Sequence, residues 1–480
     1  MDLKQTWIGH YGVAPRQLER LKQVRGVASV FNANIDAVLK VSPDMVLQWM
    51  EQAEADEWQV LNTGSKRIAE PVDLLRGFVE CFSKGIAQEW LVTDEAAFRW
   101  MQDHLGYDRL QMGGQGGIIA NVMAVGGVRQ VYVHCASLPG QQAGLFLGNI
   151  KLLSTDHLGR LHPASQIDRE GDNPLVHWIL EFDKGAELKI GGLTLTAPKS
   201  NRFIATFDPL NFVLAVDPGF DAAMRHPELA LEVVLLSGYQ MLSEPLPGQA
   251  PGSGLARISE SWTQVHAWRD AHPGAVVHFE FASTQDTVIR KALAEQLAAK
   301  ADSVGCNEQE LIGVLEVLGE SALAKECHGM GAVSLFKGLH KVFQALKIKR
   351  LQLHMFGLYV TLLDPAAEGL GPAFQPVPNR DGMVFAATLA ATKAGTGSLE
   401  HGEGLLWAHG REVADQSLRE LEALDAHLKA QHQAPGLGEE GVAKTGAFTV
   451  VAVPTILIEQ PVTLVGMGDT ISSLSLVGAR

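Results

Sequence analysis

The feature that most constrains this chain is an alternation along its length. Short runs rich in Val, Ile and Leu recur with longer helical patterns between them. The runs are VASVFNANID (27–36), VRQVYVHCA (128–136), LEVVLLSG (231–238), AVVHFEFAS (275–283) and FTVVAVPTI (448–456). Such strands, separated by crossover helices, build a mostly parallel sheet covered on both faces. The expected fold is therefore α/β, with a doubly wound, mostly parallel sheet as its core.

Between about Pro174 and Phe207 the texture changes. HWILEFDKGAELKIGGLTLTA alternates over shorter strands with Gly-bearing turns, which predicts antiparallel pairing with one wet face. This piece reads as part of a smaller α+β lid inserted in the core. The expected division assigns 1–35, 110–155 and 205–480 to the large core, and 36–109 and 156–204 to a discontinuous lid. Loops are signalled at 246–254 and 431–441 by Gly, Pro and polar residues. No solenoid or propeller period is visible.

A net charge of −15 argues against a general nucleic-acid binder, which needs a dense basic surface. It leaves room for a small anion held by a local Lys or Arg cluster. The four cysteines form no CxxC, and MDLKQTWIGHYGV has no apolar core of a signal peptide. A reduced, cytoplasmic setting is expected, with no membrane partner.

VGMGDTIS (465–472) follows an apolar stretch at the place where a central strand is expected to end. Open α/β sheets bind ligands at the carboxyl ends of their strands. Gly466, Met467 and Gly468 can bare backbone N–H groups there, a following helix adds its positive end, and Asp469 is placed to take a proton from a hydroxyl. Alone, the tetrapeptide reads equally as a tight turn with an N-cap. Four other stretches give it company. FNANIDAV carries Asn34 and Asp36, short polar groups able to fix hydroxyls, or an Asx turn. MGGQGGIIAN sets Gly114, Gln115 and Gly116 ahead of a helix expected from near Gly117, without a dinucleotide fingerprint. His278 and Glu280 fall on one face of a strand. In SVGCNEQEL, Asn307 and Glu310 lie one helical turn apart. Glu280 and Glu310, at the ends of neighbouring strands, would make a hard oxygen environment suited to Mg²⁺.

Taken together these stretches resemble the ADP-dependent glucokinase and phosphofructokinase family, a branch of the ribokinase-like fold. The likeness runs in order through FNANIDAV, MGGQGGIIAN, HWILEF, NRFIATFDP, LLSGYQML, HFEFAS, SVGCNEQEL and PVTLVGMGDTIS. It implies that Asp469 is the general base and that Gly466, Met467 and Gly468 form the anion hole. It implies Mg²⁺ at Glu280 and Glu310, with Asn307 on the phosphates. Asn34, Asp36, Gly114, Gln115 and Gly116 would hold the sugar, and Arg202 would meet a phosphate. His354, in LHMFGLYV, falls on the nucleotide side, although Met355 stands where the family often has Thr.

The implied reaction moves the terminal phosphoryl group of ADP to a sugar hydroxyl, a step of glycolysis, in a monomer or small homo-oligomer. Glu89 resembles the acidic residue of glucose-accepting members. Lys184, Lys189, Lys199 and Arg202 could instead serve fructose 6-phosphate, so the acceptor stays open between the two. A non-catalytic sensor of this fold and an ATP-dependent ribokinase-like kinase are the alternatives.

Overall fold

Successive residues of Val233–Leu236 point into two different apolar clusters, Val233 and Leu235 into one and Val234 and Leu236 into the other. A strand buried on both faces needs helices on both sides, and the computed structural model supplies them. It describes residues 2–480 except 63, 65, 400, 401 and 464.

The large sheet has eleven strands. In spatial order they are Val442–Lys444, Thr449–Pro454, Leu358–Leu363, Arg350–Met355, Ser303–Cys306, Val276–Glu280, Val233–Leu236, Val27–Val30, Val131–Val133, Leu152–Thr155 and Leu161–Pro163. From Arg350–Met355 to Leu152–Thr155 every neighbouring pair is parallel. Antiparallel strands close both flanks. All five expected core strands are present, so the mostly parallel α/β core is as the apolar runs predict.

Two of those runs end differently from expectation. The 27–36 run splits: its strand stops at Val30, and Asn34–Lys40 starts a strand of a second sheet. The last strand stops at Pro454, and the segment 455–466 separates it from the helix Met467–Val477. VGMGDTIS is thus a helix start after a loop, not the direct end of a strand.

The second sheet has six strands, in the order Arg67–Ile68, Gln88–Val92, Asn201–Phe207, Val176–Phe182, Asn34–Lys40 and Arg109–Gly113. Val176–Phe182 and Asn201–Phe207 pair antiparallel, and Glu187–Ile190 with Leu193–Thr196 forms a separate hairpin. Parallel pairs also occur, so the sheet is mixed. One face sends Ile35, Ala37, Trp178, Leu180, Phe203 and Ala205 into its own apolar cluster. Alternation then puts Asp36, His177, Thr206, Glu89 and Arg202 on the opposite, polar face. By sheet membership Arg109–Gly113 goes with the smaller layer and Leu161–Pro163 with the larger.

Gly305 shows how tightly the strand ends are built. A Cβ there would lie 2.0 Å from Glu280 Oε2 and 2.2 Å from Ser472 Oγ. Gly305→Ala is expected to lower stability by about 1–3 kcal/mol through overpacking. Denaturant titration checks this, with Gly148→Ala, where a Cβ meets nothing within 4 Å, as the unaffected control.

Candidate active site

The helix Met467–Val477 starts from Gly466, whose φ of 62° is left-handed. A side chain there would be strained and would also press on Ile118, 2.9 Å from the added Cβ. The first-turn amides that follow have no partner within the helix and stand at its positive end. Thr470 Oγ1 donates to the Gly466 carbonyl (2.7 Å), and Lys393 Nζ donates to that carbonyl and to Thr470 Oγ1, each at 3.2 Å. Lys393 comes from the long helix Pro376–Thr396 and fastens this turn from below. Burial pulls its ammonium down to about 8, while Asp469 works to raise it.

Asp469 lies in the first turn of that helix. Its Oδ1 accepts from Gln115 Nε2 at 2.9 Å, and Gln115 Oε1 accepts from the Gly238 amide at 2.9 Å. Gln115 is the first residue of the helix Gln115–Gly126, which begins two residues before the expected start. Burial raises the Asp469 carboxyl above its ordinary value, against the Gln115 bond and Lys393. A carboxylate so placed is oriented and proton-accepting.

Near enough for the Asp469 charge to act on both glutamates, Glu280, Glu310 and His354 offer ligand atoms all within 4.8 Å of one another. Glu280 ends a strand, whereas Glu310 sits in the first turn of the helix Glu308–Val317 and not at a strand end. Glu280 Oε2 accepts from the Ser472 hydroxyl and lies 3.1 Å from His278 Nε2. Behind it, His278 Nδ1 is 2.9 Å from Ser303 Oγ, which accepts from Arg350 at 2.8 Å. Asn307 and Glu310 form a reciprocal capping box: Asn307 N donates to Glu310 Oε2 (2.8 Å), and Glu310 N donates to Asn307 Oδ1 (3.0 Å). This capping box fixes both side chains at the start of the helix.

Burial, and then the neighbouring Glu310, push the Glu280 carboxyl well up. Burial brings Glu310 to about 8, with the Asn307 amide opposing and Asp469 adding to the rise. Burial also holds His354 down at about 4, so its ring is neutral. Two hard oxygen donors and a neutral imidazole suit a small divalent cation, whose charge would relieve the repulsion between the carboxyls.

An apolar cleft of about 480 Å³ adjoins this cluster, lined among others by His354, Tyr359, Ala390, Ile456, Met467 and Gly468. The tail turn touches the cluster directly, because a Cβ on Gly468 would come within 2.9 Å of His354 Nε2. On the smaller sheet, Asn34 Nδ2 donates to Asp36 Oδ1 (2.9 Å), and Thr206 Oγ1 donates to Glu89 Oε1 (2.7 Å). Gly113 pairs with Asn34, so the turn through Gly114, Gln115 and Gly116 links this polar face to Asp469. Asp469, Gly466, Met467, Gly468, Gln115, Glu280, Glu310, Asn307 and His354 are thus brought together. Arg202 is not: it is exposed on the polar face of the smaller sheet, cross-strand from Glu181.

Lys393, His177, Asp208 and the apolar cleft were missed. The signal for Lys393 was a lone lysine inside VFAATLAATKAGT, and for His177 its place in the alternation of HWILEF.

The conserved region of ADP-specific phosphofructokinase/glucokinase matches residues 25–478. The chain belongs to this family. Among its relatives, the ADP-specific phosphofructokinase of Methanosarcina acetivorans is 27% identical, over 99% of this chain and 97% of that one. The ADP-dependent glucose/glucosamine kinase of Pyrococcus abyssi is 29% identical over 96% of each. A solved structure of the last common ancestor of ADP-dependent phosphofructokinases from Methanosarcinales superposes with a TM-score of 0.87 at 28% identity, covering 100% of this chain and 99% of that one. The α/β core with its smaller layer is the fold of this family. The four cysteines are buried and free, and no helix among the described residues is long and apolar enough to cross a membrane.

A carboxyl whose folded value lies above its ordinary 4.5 gives the fold stability at low pH that is lost as pH rises through about 8. Glu310→Gln, a neutral mimic of the protonated group, should match wild type near pH 5 in chelator. At pH 9 it should melt a few degrees higher. Thermal melts across pH check this, and saturating Mn²⁺ should reverse the order.

Proposed function

We propose that the protein is an ADP-dependent sugar kinase that moves the β-phosphoryl group of ADP to a hydroxyl of glucose or fructose 6-phosphate, giving AMP and a sugar phosphate. One observation carries the reading: Asp469 and the bare amides of its helix start stand beside Glu280, Glu310 and His354, close enough for the Asp469 charge to act on both glutamates and for a Cβ on Gly468 to meet His354 Nε2 at 2.9 Å. Phosphoryl transfer needs little covalent work from the protein, so positioning and charge stabilisation do most of it.

Asp469 takes the hydroxyl proton as the new P–O bond forms, with Gln115 holding the carboxylate in line. The amides of 467–469 receive the moving group's oxygens. Lys393 keeps the Gly466 turn in place and adds a positive charge beneath it. Mg²⁺ at Glu280 and Glu310 would supply charge neutralisation on the diphosphate. The apolar cleft beside Tyr359 and Ile456 suits the flat adenine ring. The smaller sheet acts as a lid bearing Asn34, Asp36, Glu89 and His177 toward the sugar, and its closure keeps water from the transferring phosphoryl.

Glu89 favours glucose, because a carboxylate on the polar face suits a hydroxyl and repels a phosphate. The lysines named for a phosphate stand elsewhere. Lys189 belongs to the separate hairpin, whose Leu188 and Ile190 pack on the buried side, and Lys199 lies against Gly85. Arg202 keeps fructose 6-phosphate as the second reading. The setting is cytoplasmic, as a monomer or small homo-oligomer.

AMP release should require ADP and a sugar, with ATP a poor donor; turnover on ATP alone overturns the donor assignment. Asp469→Asn should keep both substrates bound and lose about 10²- to 10⁴-fold in turnover, and near-normal turnover removes Asp469 as base. Glu280→Gln should raise the Mg²⁺ concentration for half activity, read from a metal titration of initial rates.

A further inference from the structure

The chain passes between its two sheets at several crossings, and one buried carboxylate ties two of them together. Asp208 follows the strand Asn201–Phe207 and is fully buried. Its Oδ1 accepts from the Asn211 amide at 3.2 Å, and its Oδ2 from Asn211 Nδ2 at 2.8 Å. Asn211 Nδ2 also donates to Asn32 Oδ1 at 3.0 Å, and Asn32 lies in the first crossing, between Val30 and Asn34. The remaining contact of Asp208 Oδ2 is with His177 Nε2, at 3.1 Å.

His177 stands on the polar face of the smaller sheet, in register with Asp36 on one side and Thr206 on the other. A carboxylate only accepts, so Nε2 carries the proton in this contact. Nδ1 has no protein partner among the described residues. The charged groups that act most on the ring are acidic: Asp208 at its edge, Glu89 from the strand Gln88–Val92, and Asp36 from the neighbouring strand. Thr206 and Gln111, its neighbours in the same row, are neutral.

We propose that Asp208 is a positioning residue for the acceptor: it fixes the His177 ring so that this imidazole meets the sugar as a hydrogen-bond donor, and it anchors that ring to the two crossings on which the smaller layer turns. The proposal rests on the sugar-kinase reading. Burial alone would pull the imidazole down, but the Asp208 contact, followed by Glu89 and Asp36, brings it to about 8. The ring is then charged at neutral pH, with both nitrogens as donors.

The test is a histidine titration by NMR, with His177 assigned by its loss in His177→Gln, alongside pH profiles of kcat/KM for the sugar. In the wild type, His177 should titrate near 8 and kcat/KM should fall above that pH. In Asp208→Asn, the titration and the alkaline fall should both move down to about 6.5 or below, since burial then acts against Glu89 and Asp36 alone. At pH 8 the sugar KM should then rise about tenfold, with kcat at saturating sugar changing much less. Asp208→Glu should return part of the shift, and adding Asp208→Asn to His177→Gln should cost nothing further.

A wild-type His177 that titrates at or below about 6.5 overturns the proposal even if Asp208→Asn fails to fold. So does an alkaline limb that stays in place when Asp208 is changed. A wild type that releases no AMP with any sugar overturns the kinase reading instead, and the NMR titration is read independently of it.

Discussion

Everything at this site depends on holding two carboxyl groups close together where water is scarce. Glu280 is 3% exposed, and with Glu310 and His354 it brings ligand atoms within 4.8 Å of one another. Like charges at that separation cannot both ionise cheaply in a low dielectric. The surroundings limit the cost with hydrogen bonds: Ser472 and His278 on Glu280, the Asn307 amide on Glu310, and Ser303 and Arg350 behind. Burial lowers Arg350 to about 9, and Glu280 is the charge that works to raise it. A polar seam therefore runs through the interior of an otherwise apolar sheet. It is stabilising only as a complete set, because any member left alone would be a buried unsatisfied group.

The two sheets solve different problems, and the site forms where they meet. The large sheet is mostly apolar on both faces, and apart from the seam through His278, Ser303 and Arg350 the polar groups that can meet a ligand stand at the carboxyl ends of its strands. Glu280 stands there, with Asn307 and Gly238 just beyond their strands, which is where a doubly wound sheet binds ligands. The smaller sheet is apolar on one face alone, which frees a whole row of Asp36, His177 and Thr206 to meet a polar ligand. Gln115 joins the two systems. It stands at a helix start just beyond the smaller sheet's Arg109–Gly113, and its amide bonds Asp469 and the Gly238 loop of the larger. On the proposed reading, one side chain would therefore couple phosphoryl transfer to sugar recognition.

Much of this was legible in the chain because it is local. Apolar runs located the core strands, and the glycine pair with Asp469 located the helix start. The segment after Pro454 misled because it is apolar without being a strand: Ile456 and Ile458 line the cleft instead. The Asn307–Glu310 spacing is ambiguous in another way, since it serves a capping box and a ligand pair alike. What could not be read depends on partners distant in sequence. Gln115 and Asp469 are 354 residues apart, and nothing near His177 announces Asp208, 31 residues on. The facing of Lys189 could not be read either, because a hairpin's facing is decided by what it packs against.

Family likeness does not choose the acceptor, since a phosphofructokinase and a glucose kinase match this chain at 27% and 29% identity. On the proposed reading, the choice would rest on local electrostatics. A phosphate dianion would have to be desolvated on a face that holds Asp36, Glu89 and Glu181 together with Arg202, Lys40 and Arg109, the last three standing away from Glu89. A neutral hexose escapes that cost and needs only paired donors and acceptors. Glu89 and Arg202 therefore act in opposition, separated along neighbouring strands. The charge on His177, close to Glu89 and away from Arg202, shifts the balance by offsetting an acidic neighbour. On the proposed reading, the acceptor would depend on how far the acidic groups near Glu89 are neutralised when the sugar arrives.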